Sequence, residues 1–268
     1  MGTRISEETT LRPKPMIEIG GQPILLHIMN LYHAHGFEDF VICAGYLSWE
    51  IKEYFLNYNF RTHGVAIDTR ENGKATAIPY GKSVEQKKWR VRVIDTGLNT
   101  MTGARLARAF DVVSATEKFS DFAVTYGDGL CDVNLSKELE FHQQHNDIGT
   151  VLAVPPVARF GELKLNGSLV TGFAEKPKVQ EGLINGGFFF FKSEFRKYLS
   201  DNESCILERI PLETLSADQS FHAYEHRGFW YCMDSLRDKQ HLQKLWEDGQ
   251  APWTIVATPE KKKQQKSG

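Results

Sequence analysis

Cysteine is scarce in this chain: Cys43, Cys131, Cys205 and Cys232 stand alone, with no CxxC pair. Neither a zinc knuckle nor a dithiol redox site is suggested. Scattered thiols in a chain of this size read as reduced and cytoplasmic. Long apolar runs are missing too. None approaches the ~20 residues that span a bilayer, and MGTRISEETT lacks the apolar core of a secretory signal. There is no excess of either charge: Lys+Arg 32 stand against Asp+Glu 34, a net −2. A nucleic-acid coat would need a marked basic excess, so neither nucleic acid nor membrane is an expected partner. No HExxH occurs among the nine histidines. His142 and His145 could share a helix face, but no third ligand is evident, and a solvated face is the expected reading. No period of about 20–50 residues repeats, which excludes solenoids and propellers.

What is present suits a packed globule of 268 residues, 41% hydrophobic and 25% charged. Helical patterns run over Pro23 to Ala34, Trp49 to Tyr58, Leu135 to Gln144 and Ser235 to Trp246. Pro23 is expected at the first helical position, with Gly36 just past the end. Phe40 to Ala44 and Phe122 to Tyr126 read as buried strands, and Val151 to Val154 and Phe188 to Phe191 as strands. Trp89 to Asp95 alternates with period two and reads as half-exposed. Asn166-Gly167 and Gly172 mark tight turns. The βαβα alternation predicts an α/β domain with a mostly parallel sheet, whose ligands sit beyond the carboxyl ends of its strands. The tail PEKKKQQKSG, with no apolar residue, reads as disordered.

Chemistry concentrates in a few segments. Pro13-Lys14-Pro15 predicts a lysine on a stiff, extended backbone, because each proline fixes φ and biases its predecessor away from helix. Gly2-Thr3-Arg4 could wrap backbone N–H groups around phosphate. Asp128, between Gly127 and Gly129 at a strand end, is either a turn residue or a hard oxygen ligand for Mg²⁺ beside substrate phosphates. Asp234 is either a helix cap or a second metal ligand; Arg237 three residues on gives no capping box. Glu175 and Lys176 combine an acceptor with a cation, suited to sugar hydroxyls and a phosphate. Asn185-Gly186-Gly187 places an amide before a flexible turn.

These segments form an ordered series: GTR followed by ISEETTLRPKPM, DTG at 95–97, MTGARL at 101–106, TYGDG at 125–129, RFG at 159–161, FAEKPK at 173–178, INGGFF at 184–189 and MDSLRDK at 233–239. Over nearly all of residues 2–255 the series resembles the sugar-1-phosphate nucleotidylyltransferases. The ISEET stretch favours their cytidylyl branch over thymidylyl and uridylyl relatives. The resemblance implies a Rossmann-like, mixed, mainly parallel sheet flanked by helices, the nucleotide-diphospho-sugar transferase fold. It implies one domain over 1–255, with a nucleotide-binding part to about 130 and a sugar-binding part beyond, and a basic tail over 256–268.

The implied reaction transfers a cytidylyl group from CTP to α-D-glucose 1-phosphate, releasing pyrophosphate. Arg4 and Lys14 would be its catalytic cations. Gly2, Thr3, Arg4, Lys14, Thr100, Arg105, Gly127 and Asp128 would bind nucleotide. Glu175, Lys176, Asn185 and Gly186 would bind the sugar phosphate, and Asp128 and Asp234 would hold Mg²⁺. A homo-oligomer is also implied, since relatives commonly form one. One departure stands out: the family begins with an apolar strand and Gly-Gly, and here Met1 falls where that loop should continue. The expectation is a start assigned to an internal methionine, with a damaged, nucleotide-sugar-binding paralogue as the alternative.

Overall fold

A computed structural model describes residues 12–71, 74–81, 87–157, 162–174 and 182–254. After a 3₁₀ turn at Lys14–Met16 come the two-residue strands β1 (Glu18–Ile19) and β2 (Gln22–Pro23), then helix α1 (Ile24–Ala34) and strand β3 (Asp39–Ala44). Helices α2 (Ser48–Leu56) and α3 (Tyr58–Thr62) lead to the hairpin β4 (Gly64–Glu71) and β5 (Lys74–Tyr80). Next are β6 (Arg90–Asp95), α4 (Thr102–Ser114), β7 (Asp121–Thr125), β8 (Gly129–Cys131), α5 (Leu135–Gln144) and β9 (Gly149–Val154). The second hairpin pairs β10 (Glu162–Asn166) with β11 (Leu169–Ala174). The chain continues through β12 (Ile184–Lys192), a 3₁₀ segment at Ser193–Tyr198, α6 (Ile210–Ala217), β13 (Phe221–Glu225), β14 (Trp230–Cys232) and α7 (Leu236–Glu247).

Strand pairing is mixed. Parallel pairing joins β3 to β6 in a two-stranded sheet and β9 to β13 in the larger one. Strand β12 runs antiparallel between β7 and β9, giving the four-stranded order β13-β9-β12-β7. The parallel character expected from the sequence therefore holds within the βαβ segments and is interrupted by β12. Side chains of a strand alternate between faces, and β12 shows why a continuous apolar run was needed. Phe188 and Phe190 enter one core with α1, α5 and α7 residues such as Ile28, Leu135 and Leu242. Phe189 and Phe191 enter another with Ala107 of α4, Phe195 and Leu215 of α6. All four rings are at most 1% exposed, so the sheet is covered on both faces. A third cluster, Met16, Leu25, Met29, Ala44 and Ile51, seats β3 against α1 and α2.

Local signals act with small shifts. Pro23 sits one residue earlier than expected, at the N-cap of α1 with φ −52° and ψ 141°, where its missing N–H costs nothing. The helix read over Trp49 to Tyr58 breaks at Asn57, giving α2 and α3. Gly36 at φ 89° and Gly167 at φ 58° occupy the left-handed conformations their turns require. The two polar residues His142 and Glu138 are fully buried on the inner face of α5, both 0% exposed. The solvated face expected for His142 is thus corrected: the helix turns that side onto β9 and β12.

Candidate active site

The centre of the site is a lysine between two aspartates. Lys14 Nζ donates to Asp128 Oδ2 at 2.6 Å and to Asp234 Oδ1 at 2.9 Å. The residues are 114 and 220 positions from Lys14 in the chain. An antiparallel ladder brings the aspartates together. Strands β8 and β14 pair with Cys232 opposite Gly129, and the Met233 N–H donates to the Asp128 carbonyl at 2.9 Å. The two carboxylates thus flank one end of this ladder, rather than the ends of two parallel strands.

Lys14 is delivered by the turn around it. Pro13 is extended, but Lys14–Met16 closes a 3₁₀ turn, with the Met16 N–H donating to the Pro13 carbonyl at 2.7 Å. The expected stiff extension is therefore limited to Pro13. Gly127 explains how close the turn can come: a Cβ there would meet Pro15 Cγ at 2.8 Å.

The Lys14 side chain is 29% exposed, Asp128 23% and Asp234 50%. Burial alone would lower the Lys14 pKa, but the hydrogen bonds and charges of Asp128 and Asp234 outweigh it and the net direction is up. The ammonium is firmly charged. Cys232 lies beside the pair, and one donor atom each from Asp128, Cys232 and Asp234 falls within a 4.8 Å group. Burial and the two carboxylates push its thiol up to about 12, so it stays protonated near neutral pH.

Asp234 does not cap α7. Ser235 does: its hydroxyl accepts from the Asp238 N–H, and Asp238 accepts in return from the Ser235 N–H at 2.8 Å. The cap lies one residue later than Asp234, and there it does form a capping box, which the sequence reading does not give. It leaves the Asp234 carboxylate pointed at Lys14.

A wall of polar contacts continues from Asp128. Asn185 Nδ2 donates to the Tyr126 hydroxyl at 3.1 Å, and its Oδ1 accepts from the Gly187 N–H at 2.7 Å. Tyr126 in turn donates to Glu208 at 2.5 Å. Burial, then Glu208, raises the Tyr126 pKa far above its usual range, so it acts only as a neutral hydroxyl. Trp230 Nε1 donates to the Gly186 carbonyl at 2.7 Å, tying β14 to the 185–187 bend. Tyr126, Glu208, Trp230 and Cys232 were not singled out from the sequence. Tyr126 and Trp230 do lie within or beside the TYGDG and MDSLRDK segments, a signal that adjacency could have supplied.

Thr100 and Arg105 group elsewhere, at the carboxyl ends of β3 and β6. Arg105 donates to the Ala44 carbonyl at 3.1 Å, the Thr96 hydroxyl at 2.9 Å and the Leu98 carbonyl at 3.2 Å. Its guanidinium lies on Gly45, where a Cβ would come within 2.4 Å of it. Buried Thr100 accepts from Arg108 at 3.0 Å. In this state both side chains brace the turn after β6. Gly2, Thr3, Arg4, Glu175 and Lys176 lie outside the described residues.

A glycine-flanked aspartate and a second carboxylate sharing one lysine, at the end of the β8–β14 ladder of a mixed α/β fold, agree with a family match over residues 1–248 to the nucleotidyl transferases. The chain belongs to that family. It is 45% identical over 253 residues to a glucose-1-phosphate cytidylyltransferase of Salmonella typhimurium, covering 94% of this chain and 95% of the relative. A UTP–glucose-1-phosphate uridylyltransferase of Synechocystis is 27% identical, covering 75% of this chain and 49% of that protein. A crystal structure of UDP-glucose pyrophosphorylase with UDP-glucose superposes at TM-score 0.63 and 15% identity, covering 90% of this chain and 93% of that one. That likeness speaks to the fold: the family's nucleotide-diphospho-sugar transferase architecture. Among the described residues, no helix is long and apolar enough to cross a membrane.

Proposed function

We propose that the protein transfers the cytidylyl group of CTP to α-D-glucose 1-phosphate, giving CDP-glucose and pyrophosphate. The observation that carries the reading is the triad of Lys14, Asp128 and Asp234, set in a chain 45% identical to a glucose-1-phosphate cytidylyltransferase. The sugar-phosphate oxygen attacks the α-phosphorus of CTP in line. Such a transfer asks for positioning and charge stabilisation more than covalent help.

Two carboxylate oxygens already converge on a single cation, the Lys14 ammonium, within 2.6–2.9 Å. That donor set fits Mg²⁺, which takes one or two carboxylates and leaves its other positions to phosphate oxygens and water. Asp128 and Asp234 would hold the ion, and when bound it supplies positive charge against the triphosphate. Lys14 would donate to an oxygen of the transferring phosphate, where negative charge grows. Arg4 would join it. Gly127 keeps the Lys14 turn within reach, and the Tyr126–Asn185–Gly186 wall orients the sugar phosphate together with Glu175 and Lys176. Thr100 and Arg105 hold the turn beyond β6 on the nucleotide side.

Pyrophosphate release from purified protein with glucose 1-phosphate and CTP, dTTP, UTP, ATP or GTP in turn tests the reading. CTP should be preferred by at least tenfold. Equal or better rates with dTTP or UTP would place the chain in another branch. No turnover with any nucleotide, alongside binding of nucleotide sugars, would favour the damaged paralogue.

A further inference from the structure

Three histidines and two aspartates gather at the far end of the sheet from Asp128. Strands β7 and β9 both run antiparallel to β12, so they point the same way. Asp128 follows the end of β7, whereas Asp121 opens β7 and Thr150 sits at the start of β9. His222 pairs with Thr150 across the parallel β9–β13 ladder. His145 and Asp147 lie on the short link from α5 into β9. One donor atom from each of His145, Asp147 and His222 falls within 4.8 Å of the others. His222 Nε2 lies 2.6 Å from Asp147 Oδ2, and the His145 and His222 rings stack at 4.2 Å.

We propose that His145, Asp147 and His222 form a binding site for a divalent transition-metal ion of the zinc class, separate from the catalytic carboxylates. Two imidazoles and one carboxylate are a zinc donor set, with water in the fourth position. A hard ion such as Mg²⁺ would not choose it.

The hydrogen bonds behind the site set the tautomer a ligand needs. Thr150 Oγ1 contacts both His142 Nδ1, at 2.9 Å, and His145 Nε2, at 2.7 Å. His142 Nε2 lies 3.4 Å from Asp121 Oδ1, an ion-pair distance without hydrogen-bond geometry. With that accept-only carboxylate as its neighbour, Nε2 is the nitrogen that keeps the proton, and His142 Nδ1 is assigned as the acceptor. Thr150 then gives its hydroxyl proton to His142 and accepts from His145 Nε2–H. His145 Nδ1 is left as a bare lone pair, and it is buried with no hydrogen bond of acceptable geometry. Orienting partners behind metal-binding imidazoles do this work generally. The ion takes the place of the proton between His222 and Asp147, which leaves to solvent, and adds His145 as third ligand. It would clamp the end of α5 to the first residues of β13.

Co²⁺ is the probe, added to chelator-treated full-length protein in excess Mg²⁺, which fills the hard-oxygen site. One equivalent should bring up the intense visible bands of tetrahedral Co²⁺, and Zn²⁺ should erase them. Asp147→Asn and His222→Asn should each weaken Co²⁺ at least tenfold, with circular dichroism checking the fold. Asp234→Asn should leave the bands unchanged. X-ray absorption of the zinc-loaded wild type needs no variant and should find two imidazoles. Absent bands overturn the proposal, as do bands that survive in folded His222→Asn. A zinc shell of oxygen or sulfur alone, pointing to Asp128, Cys232 and Asp234, also overturns it.

Discussion

Replacing Glu138 by Gln should stabilise the protein, and increasingly so as pH rises from about 5 to 8. Glu138 is 0% exposed on the inner face of α5, and neither carboxylate oxygen has a hydrogen-bond partner. Burial alone raises its pKa from the ordinary 4.5 to about 8. The native state therefore holds a proton that the unfolded chain has released between those values. The unfolded state binds fewer protons there, so stability falls with rising pH from about 4.5 and levels off above about 8. At 1.36 kcal/mol per pKa unit, the native state gives up roughly 1 kcal/mol at pH 5 and about 4 kcal/mol at pH 8. Gln keeps the shape of the protonated acid and cannot ionise. The two proteins should thus match within about 1 kcal/mol at pH 5 and differ by about 4 kcal/mol at pH 8, near 10 °C in Tm. Urea unfolding of both at pH 5, 6.5 and 8 isolates the effect, because every other titrating group is shared. A stability gap that stays constant across that range would refute the reasoning. It would mean that water reaches the carboxylate.

Lys14→Gln should lower kcat by ~10²–10³-fold with little change in fold, read by pyrophosphate release, because the ammonium acts on charge that develops in the transition state. Asp234→Asn should cost ~10²-fold in kcat and shift the Mg²⁺ requirement, yet change stability by under about 0.5 kcal/mol. Ser235→Ala, the actual cap of α7, should do the reverse: about 1 kcal/mol of stability and near-normal kcat. Gly127→Ala should destabilise by ~1–3 kcal/mol and lower kcat, because its Cβ meets Pro15 at 2.8 Å and pushes the Lys14 turn away; calorimetry and the same kinetic assay check both effects.

Much of this protein was legible residue by residue. Phe188 to Phe191 read as a strand, which β12 is. Gly36 and Gly167 ended a helix and turned a hairpin through positive φ. Asp128 stood out between Gly127 and Gly129 because packing gives no reason for a carboxylate there, whereas Asp234 could be read as a helix cap. These are local properties: propensity, period and backbone freedom act within a few residues of the chain.

Register and partnership were decided only in three dimensions. The sequence could not choose between cap and ligand for Asp234. The cap falls one residue later, on Ser235, and the β8–β14 ladder sets Asp234 beside Asp128. Arg105 read as a nucleotide contact, and only the fold shows that its guanidinium also ties the Ala44 carbonyl at the end of β3 to Thr96 and Leu98 in the turn after β6. His142 read as solvated, because α5 is polar on most of its surface and only packing against β9 and β12 reveals which side is inward. His222, 77 positions from His145, carried no hint of it in the sequence. Hydrogen-bond partners and burial depend on which distant segments share a sheet edge, and that is a property of the whole fold.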